Sequence, residues 1–384
     1  MAEPCFDVAH LGHVELYTDR FEESLDFFTR IYGLKLSGQD DTSAYLRAWD
    51  DYEFHSLKLT RHATTGIGHV AYRVASPEAL ERRVKAVEQS GFPVIGWVDG
   101  DLGHGRAFRF EDPFGHVFEL YWETRRYEAP PQDRAALKNL SSRYHAQGVS
   151  PRRIDHVNLL GEDVREFKRF VDACLGIRVT EYIQLDNGRM GGCWFSCNNK
   201  TYDLVCSEER GGGRGRLHHV TYATDTREDI LRAADIYLEN GVHIETGPHK
   251  HAIQGTFFLY VYEPAGNRIE VANAGARLVL ARELQLAAAE VRRSGEGRMT
   301  TLSHVVASSC QVCAEDPTPL WEIRARRVTH DAETRQIHFT GAQFRAAGMP
   351  LMYLPQLRMP DPTVERMRGL LRPTLRTTSS LGTG

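Results

Sequence analysis

Three residues between Arg153 and Ala274 have the types and spacing of a metal centre. His156 lies in RRIDHVNLL, His219 in GRLHHVTYA and Glu270 in EPAGNRIEVANAG. Each sits in a short, alternating apolar run that reads as a β-strand. Two imidazoles and a carboxylate on neighbouring strands can occupy one face of an octahedral ion. Three positions then stay open for substrate, the arrangement that suits mononuclear non-haem Fe(II) and oxygen chemistry. A lone histidine at the start of a strand is ordinarily a hydrogen-bonded structural residue. Here a matching set, His13, His69 and Glu119, stands in the first half of the chain. The first set is 56 and 50 residues apart, the second 63 and 51. Packing has no need of His, His and Glu at equivalent strand positions. A carboxylate buried beside them calls for a cation or a hydrogen-bond network.

These residues need elements to hold them. Residues 8–17 read as a strand, and FEESLDFFTRIYGL (21–34) as a helix stopped by Gly33. Strand-like runs follow at 44–50 and 55–61. The order restarts with a strand at 67–74 and a helix at 76–91, with Ser76 as N-cap, Pro77 in the first turn and Gly91 as C-cap. Two strands around the turn DPFG fill 106–123. A third unit comprises DHVNLL, a helix over 163–176 and strands near 189–195 and 201–206. A fourth comprises HHVTYAT, a helix over 226–241 and strands within 257–273. The turns repeat as well, EDPFGHVFEL against EPAGNRIEV. The reading is an α+β chain of four βαβββ modules in two pairs, each pair an open curled sheet. The polar stretch 124–151, with two adjacent prolines, reads as linker plus a short helix.

With these motifs in place, residues 8–281 resemble a two-domain extradiol ring-cleaving dioxygenase, the catechol 2,3-dioxygenase type of the vicinal oxygen chelate superfamily. The most specific stretch is 215–275, GRLHHVTYATDTREDILRAADIYLENGVHIETGPHKHAIQGTFFLYVYEPAGNRIEVANAG. The resemblance implies a vicinal oxygen chelate (glyoxalase-like) fold with a structural domain at 1–125, a linker at 126–151 and a catalytic domain at 152–281. It implies iron held by His156, His219 and Glu270, with manganese, Mn(II), as the other ion this donor set accepts. His251 of GPHKH matches a histidine that hydrogen-bonds a substrate oxygen, and Tyr260 of FFLYVYEP a tyrosine that steadies the catecholate. A catecholic substrate, O2 and a homo-oligomer are implied too. The family usually has an acid–base histidine in the segment matching NNKTYDLVC; here Tyr202 takes that place. A phenol with a pKa of about 10 is a poor proton shuttle near neutral pH. In the first half, aligning on Glu119 sets Arg109 against Tyr260 and Gly100 against His251. That half keeps possible ligands without the supporting residues, as a duplicated scaffold with a vestigial site would, and a second ion stays open.

Past about Leu280 the phrasing changes. SSCQVC, PLWEIRARRVTHD, MPLMYLP and PDPTVERMRG resemble part of the outer-membrane lipopolysaccharide-assembly protein. A fused tail over 282–384 is the simplest account. Its strand-like pieces IRARRVTHD and RQIHFTGAQFR would leave unpaired edges unless they dock. Cys310 and Cys313 form a CxxC without the second pair of a zinc site. The 384 residues allow two or three domains, with 41% hydrophobic and 26% charged residues. A net charge of −4 gives no reason to invoke nucleic acid or a membrane surface. Neither a signal peptide nor a membrane span is expected, and seven scattered cysteines suit reduced thiols in a cytoplasm. Two rivals to the dioxygenase remain: another metal-dependent enzyme of the superfamily, such as a glyoxalase-like isomerase, and a non-catalytic binding protein.

Overall fold

The computed structural model describes residues 6–137, 147–252, 255–273, 285–294, 298–308, 321–346 and 349–360. The chain divides into two compact units, Met1–Val279 and Leu280–Gly384.

The first unit contains two eight-stranded sheets of the same topology. One is built from β1 (Val8–Thr18), β2 (Lys35–Gln39), β3 (Ser43–Arg47), β4 (Leu57–Arg61), β5 (Gly66–Val74), β6 (Val94–Val98), β7 (Ala107–Glu111) and β8 (Val117–Tyr121). Its spatial order is β2-β3-β4-β1-β5-β8-β7-β6. The second comprises β9 (Arg153–Gly161), β10 (Arg178–Gln184), β11 (Met190–Ser196), β12 (Leu204–Glu208), β13 (Leu217–Ala223), β14 (Ile244–Lys250), β15 (Phe257–Tyr262) and β16 (Arg268–Ala272). Its order, β10-β11-β12-β9-β13-β16-β15-β14, repeats the first strand for strand. The central pairs β1–β5 and β9–β13 are antiparallel, and β5–β8 and β13–β16 are parallel. This is the expected α+β arrangement of four βαβββ modules in two pairs.

Each module carries one helix: α1 (Phe21–Asp26), α2 (Pro77–Ser90), α3 (Val164–Phe170) and α4 (Arg227–Glu239). Single π-helical turns, Phe27–Ile31 and Val171–Leu175, extend α1 and α3. Helix α2 has the expected ends. The Ser76 side chain accepts from the Ala79 N–H, Pro77 opens the first turn, and Gly91 stops the helix at φ +81°. Thr226 and Asp229 close a capping box at the start of α4. One apolar core runs through both sheets. Phe110 and Phe118 meet Phe170 at ring-centroid distances of 5.8 and 5.0 Å, so an aromatic seam joins the halves. Burying each such ring contributes about 2 kcal/mol.

Four strands escaped the sequence reading: β2, β6, β10 and β14, the outermost of each module. Residues 201–203 belong to a turn before β12, not to the strand. In 124–151 a single 3-10 turn, Pro131–Asp133, is described, and the remainder of the expected helix falls outside the described residues.

The second unit is a five-stranded antiparallel meander of β17 (Gln285–Ser294), β18 (Met299–Ser308), β19 (Trp321–Asp331), β20 (Gln336–Ala346) and β21 (Met349–Pro360). IRARRVTHD and RQIHFTGAQFR, read as leaving unpaired edges unless they dock, find strand partners. Those pieces lie in β19 and β20, each paired on both sides. Val305, Ala325, Val328, Phe339 and Ala342 form its small core. Cys310 and Cys313 lie outside the described residues.

Candidate metal centre and active site

The strand register sets the site. Across four adjacent strands β9, β13, β16 and β15, His156 stands opposite Thr221, Thr221 beside Glu270, and Glu270 opposite Tyr260. Four polar side chains therefore form one row on one face of the sheet. His219 lies two residues before Thr221 and shares its face, because side chains alternate along a strand. A register irregularity between Leu217 and His219 accompanies it, the kind of local bulge that re-aims a side chain at a site.

His156, His219 and Glu270 converge. The two Nε2 atoms are 3.2 Å apart, and Glu270 Oε2 lies 3.3 Å from His156 Nε2 and 3.2 Å from His219 Nε2. Bonds of about 2.1–2.2 Å put neighbouring octahedral ligands about 3.0–3.1 Å apart. Three nearly equal edges of that size fit one face of such an ion. All three residues are buried. Burial alone would forbid a lone carboxylate, yet the surrounding imidazoles and hydrogen bonds hold the Glu270 pKa far below the usual carboxylate range. Burial works against charging His156, but the Asp155 and Glu270 carboxylates outweigh it and raise its pKa. Burial dominates at His219 and lowers its pKa to about 4. His219 is thus neutral near pH 7, with a lone pair to offer.

The supporting residues are arranged around this face. Asp155 Oδ2 lies 2.8 Å from His156 Nδ1, which directs Nε2 inward. The Thr221 hydroxyl donates to Glu270 Oε2. His251 Nε2 is 3.1 Å from Glu270 Oε1 and 3.2 Å from the Tyr260 hydroxyl. Its ring stacks flat on Phe258, 3.5 Å between centroids and 1° between planes. The Arg268 guanidinium lies 3.7 Å over the Tyr260 ring. Tyr202 is buried with its ring edge-on to His156, centroids 4.6 Å apart. Burial raises the pKa of both Tyr202 and Tyr260 well above 10, so both phenols keep their protons. The next residue, Asp203, anchors the turn. It accepts from the Cys197 N–H, the Ser196 hydroxyl and the Asn198 amide, and pairs with Lys200 at 2.8 Å. Lys200 also donates to the Asp155 carbonyl oxygen, which ties the Tyr202 turn to the strand that carries His156.

All six residues singled out from the sequence, His156, His219, Glu270, His251, Tyr260 and Tyr202, come together. The sequence reading missed Asp155, Thr221, Lys200 and Arg268. Two of these had a signal. Thr221 and Arg268 stand two residues from His219 and Glu270, on the same faces of their strands.

Comparison with known proteins agrees with this geometry. The family model of the Glyoxalase/Bleomycin resistance protein/Dioxygenase superfamily matches residues 10–120 and 153–271. A metapyrocatechase of Geobacillus stearothermophilus is 41% identical over 269 residues, 70% of this chain and 82% of that protein. A manganese-dependent 2,3-dihydroxybiphenyl 1,2-dioxygenase of Geobacillus genomosp. 3 is 37% identical over 273 residues, 70% of this chain and 86% of that protein. Among solved structures, the 2,3-dioxygenase LapB from Pseudomonas sp. KL28 superposes with a TM-score of 0.65 at 27% identity, covering 69% of this chain and 92% of its own. The anaerobic substrate complex of homoprotocatechuate 2,3-dioxygenase from Brevibacterium fuscum gives 0.62 at 28% identity, covering 71% and 82%. Relatives of this kind imply a catalytic metal ion. The chain belongs to the Glyoxalase/Bleomycin resistance protein/Dioxygenase superfamily, and within it to the extradiol ring-cleaving dioxygenases.

Proposed function

We propose that His156, His219 and Glu270 hold one Fe(II), at which O2 opens the ring of catechol or a substituted catechol beside its diol. The product is a semialdehyde of the 2-hydroxymuconic type. The observation that carries this reading is the buried triangle of 3.2–3.3 Å edges with His251 and Tyr260 at its rim. When bound, the ion supplies two-point chelation of a diol and an electron path between ring and dioxygen.

The protein's own groups do the rest. His251 holds its Nε2 at hydrogen-bond distance from both Glu270 and Tyr260, where it can accept a diol proton and later return it. Tyr260 stays a neutral phenol, and its hydroxyl orients the bound oxygen of the substrate. Tyr202, also neutral, donates a hydrogen bond on the His156 side without relaying protons. Dividing the work this way leaves His251 as the acid–base group in place of the family's usual second histidine.

Fe(II) is preferred for a metapyrocatechase-like chain; the name of one relative, manganese-dependent, and the acceptance of Mn(II) by imidazole and carboxylate donors make Mn(II) the alternative. Stripped protein reconstituted anaerobically with each ion tests the choice. Fe(II) should restore ring opening. Turnover with Mn(II) alone would replace the ion, and turnover with neither would remove the reaction. We also infer that residues 1–125, 126–151 and 152–281 form the structural domain, linker and catalytic domain. The tail over 282–384 is then a segment foreign to this enzyme. In support, the relatives cover about 70% of the chain, and the compact units part at Val279.

A further inference from the structure

The N-terminal sheet contains a second convergent cluster that the dioxygenase reaction does not use. His13, Ala71, Glu119 and Arg109 stand opposite one another across β1, β5, β8 and β7. This is the same row as His156, Thr221, Glu270 and Tyr260. His69 precedes Ala71 by two residues, as His219 precedes Thr221. Two members have changed chemistry: alanine replaces the threonine, and arginine replaces the tyrosine. A second carboxylate enters from the loop after β6, where Asp101 follows the Gly100 that aligns with His251.

The donor atoms meet closely. His13 Nε2 and His69 Nε2 are 3.0 Å apart, and Asp101 Oδ2 lies 3.1 and 3.3 Å from them. The Glu119 oxygens lie 3.9 Å from each imidazole. These separations straddle the edge of about 3.4 Å expected for a tetrahedron with bonds of about 2.1 Å. Exposure is 0% at His13, 1% at His69, 9% at Asp101 and 0% at Glu119.

Three of the four ligands, His69, Asp101 and Glu119, are held from outside. His69 Nδ1 is 2.8 Å from Glu15 Oε2, which turns the lone pair of Nε2 inward. Lys58 binds Asp101 through Oδ1 at 2.7 Å, so Oδ2 faces the histidines. The Arg109 Nε–H donates to Glu119 Oε2 at 2.7 Å. The other oxygen, Glu119 Oε1, is buried with no hydrogen-bond partner, because Ala71 lacks the hydroxyl that Thr221 gives Glu270. A fully buried carboxylate oxygen aimed into a cluster of imidazoles and left unpaired is costly unless a cation meets it.

We propose that His13, His69, Asp101 and Glu119 form a second, structural metal site for a divalent first-row ion. Four protein donors of two nitrogens and two oxygens, sealed from solvent, suit Zn(II) best. The site has no position open to substrate. It clamps β1, β5, β8 and the loop after β6. The rival arrangement is a metal-free ionic network closed by a protonated His69.

Counting metal in full-length His219→Ala/Glu270→Gln protein decides between them. This protein lacks two of the three proposed catalytic ligands, so the count stands whether or not the chain cleaves catechol. After chelator treatment it is dialysed against Zn(II), desalted and analysed by mass spectrometry for metal. One ion per chain, with a thermal midpoint a few degrees above the stripped protein, is expected. Adding Asp101→Asn and Glu119→Gln should remove that ion. No ion in the double variant overturns the proposal. If the double variant does not fold, the wild type decides: two ions per chain support the site. One ion, fully retained in His69→Gln protein, overturns it.

Discussion

His251→Phe separates proton handling from metal binding. Phenylalanine keeps a flat ring over Phe258, where the imidazole now stacks at 3.5 Å, and the His251 side chain is already 32% exposed. The fold should therefore lose less than about 1 kcal/mol. The lost contacts are the Nε2 links to Glu270 Oε1 at 3.1 Å and to the Tyr260 hydroxyl at 3.2 Å. As a neighbour of a metal ligand, His251 accounts for about 10–100-fold in metal affinity. Excess Fe(II) compensates for that loss, so metal content stays at one equivalent in the catalytic site. As the acid–base group it accounts for about 10²–10⁴-fold in kcat, or about 3–5 kcal/mol of barrier. Single-turnover kinetics on metal-loaded protein would measure this, with metal counted in the same sample. Full turnover by the loaded variant would refute the role given to His251. Loss of metal at saturating Fe(II) would show that His251 acts through binding alone.

Three further outcomes are expected. Tyr202→Phe should lower kcat by roughly 10–100-fold, the loss of one hydrogen bond to a charged group. It should not move the alkaline limb of the pH–rate profile, because burial keeps that phenol protonated; a displaced limb would contradict its assignment as a fixed donor. Thr221→Val should weaken metal binding by about 10–100-fold, read by competition with a chelator, because the hydroxyl on Glu270 Oε2 is lost. Asp203→Asn should destabilise the first unit by about 3 kcal/mol at pH 7, measured by urea unfolding, because the largely buried Lys200 loses its 2.8 Å ion pair and keeps only the Asp155 carbonyl and, at 4.0 Å, the Asp155 carboxylate. Burial pushes the Asp203 pKa up, but Lys200 and the hydrogen bonds from Cys197 and Asn198 prevail and hold it below 3.8. A carboxylate with a lowered folded pKa contributes its full stability above the unfolded value and loses it as pH falls through the folded one. The difference between wild type and variant should therefore shrink below about pH 4.

The proposed catalytic row was legible in the sequence because its residues lie at alternating positions of well-buried strands. His156, His219, Glu270 and Tyr260 each sit in apolar runs whose period is plain. The strands that escaped lack that contrast. β6 is VIGWV with three of five residues exposed, and β10 and β14 are half-exposed and polar. Edge position, not weak pairing, removes their pattern. Asp101 was invisible for another reason. It lies in a loop outside any periodic element, and its approach to His13, 88 residues away, depends on tertiary closure. Aligning the halves set Arg109 in the place of Tyr260, but its position opposite Glu119 and the ion pair it makes there could be read only from coordinates. The helix over 21–34 was readable from its apolar spacing, while its widening into a π-helical turn at Phe27–Ile31 was not.

The central claim is tested most directly by oxygen uptake on adding catechol to anaerobically Fe(II)-reconstituted protein, with Glu270→Gln protein treated identically. Uptake of one O2 per catechol, with a yellow ring-opened product from the wild type and none from the variant, is the predicted result. Wild-type protein that holds iron at its catalytic site yet consumes no oxygen would contradict the account.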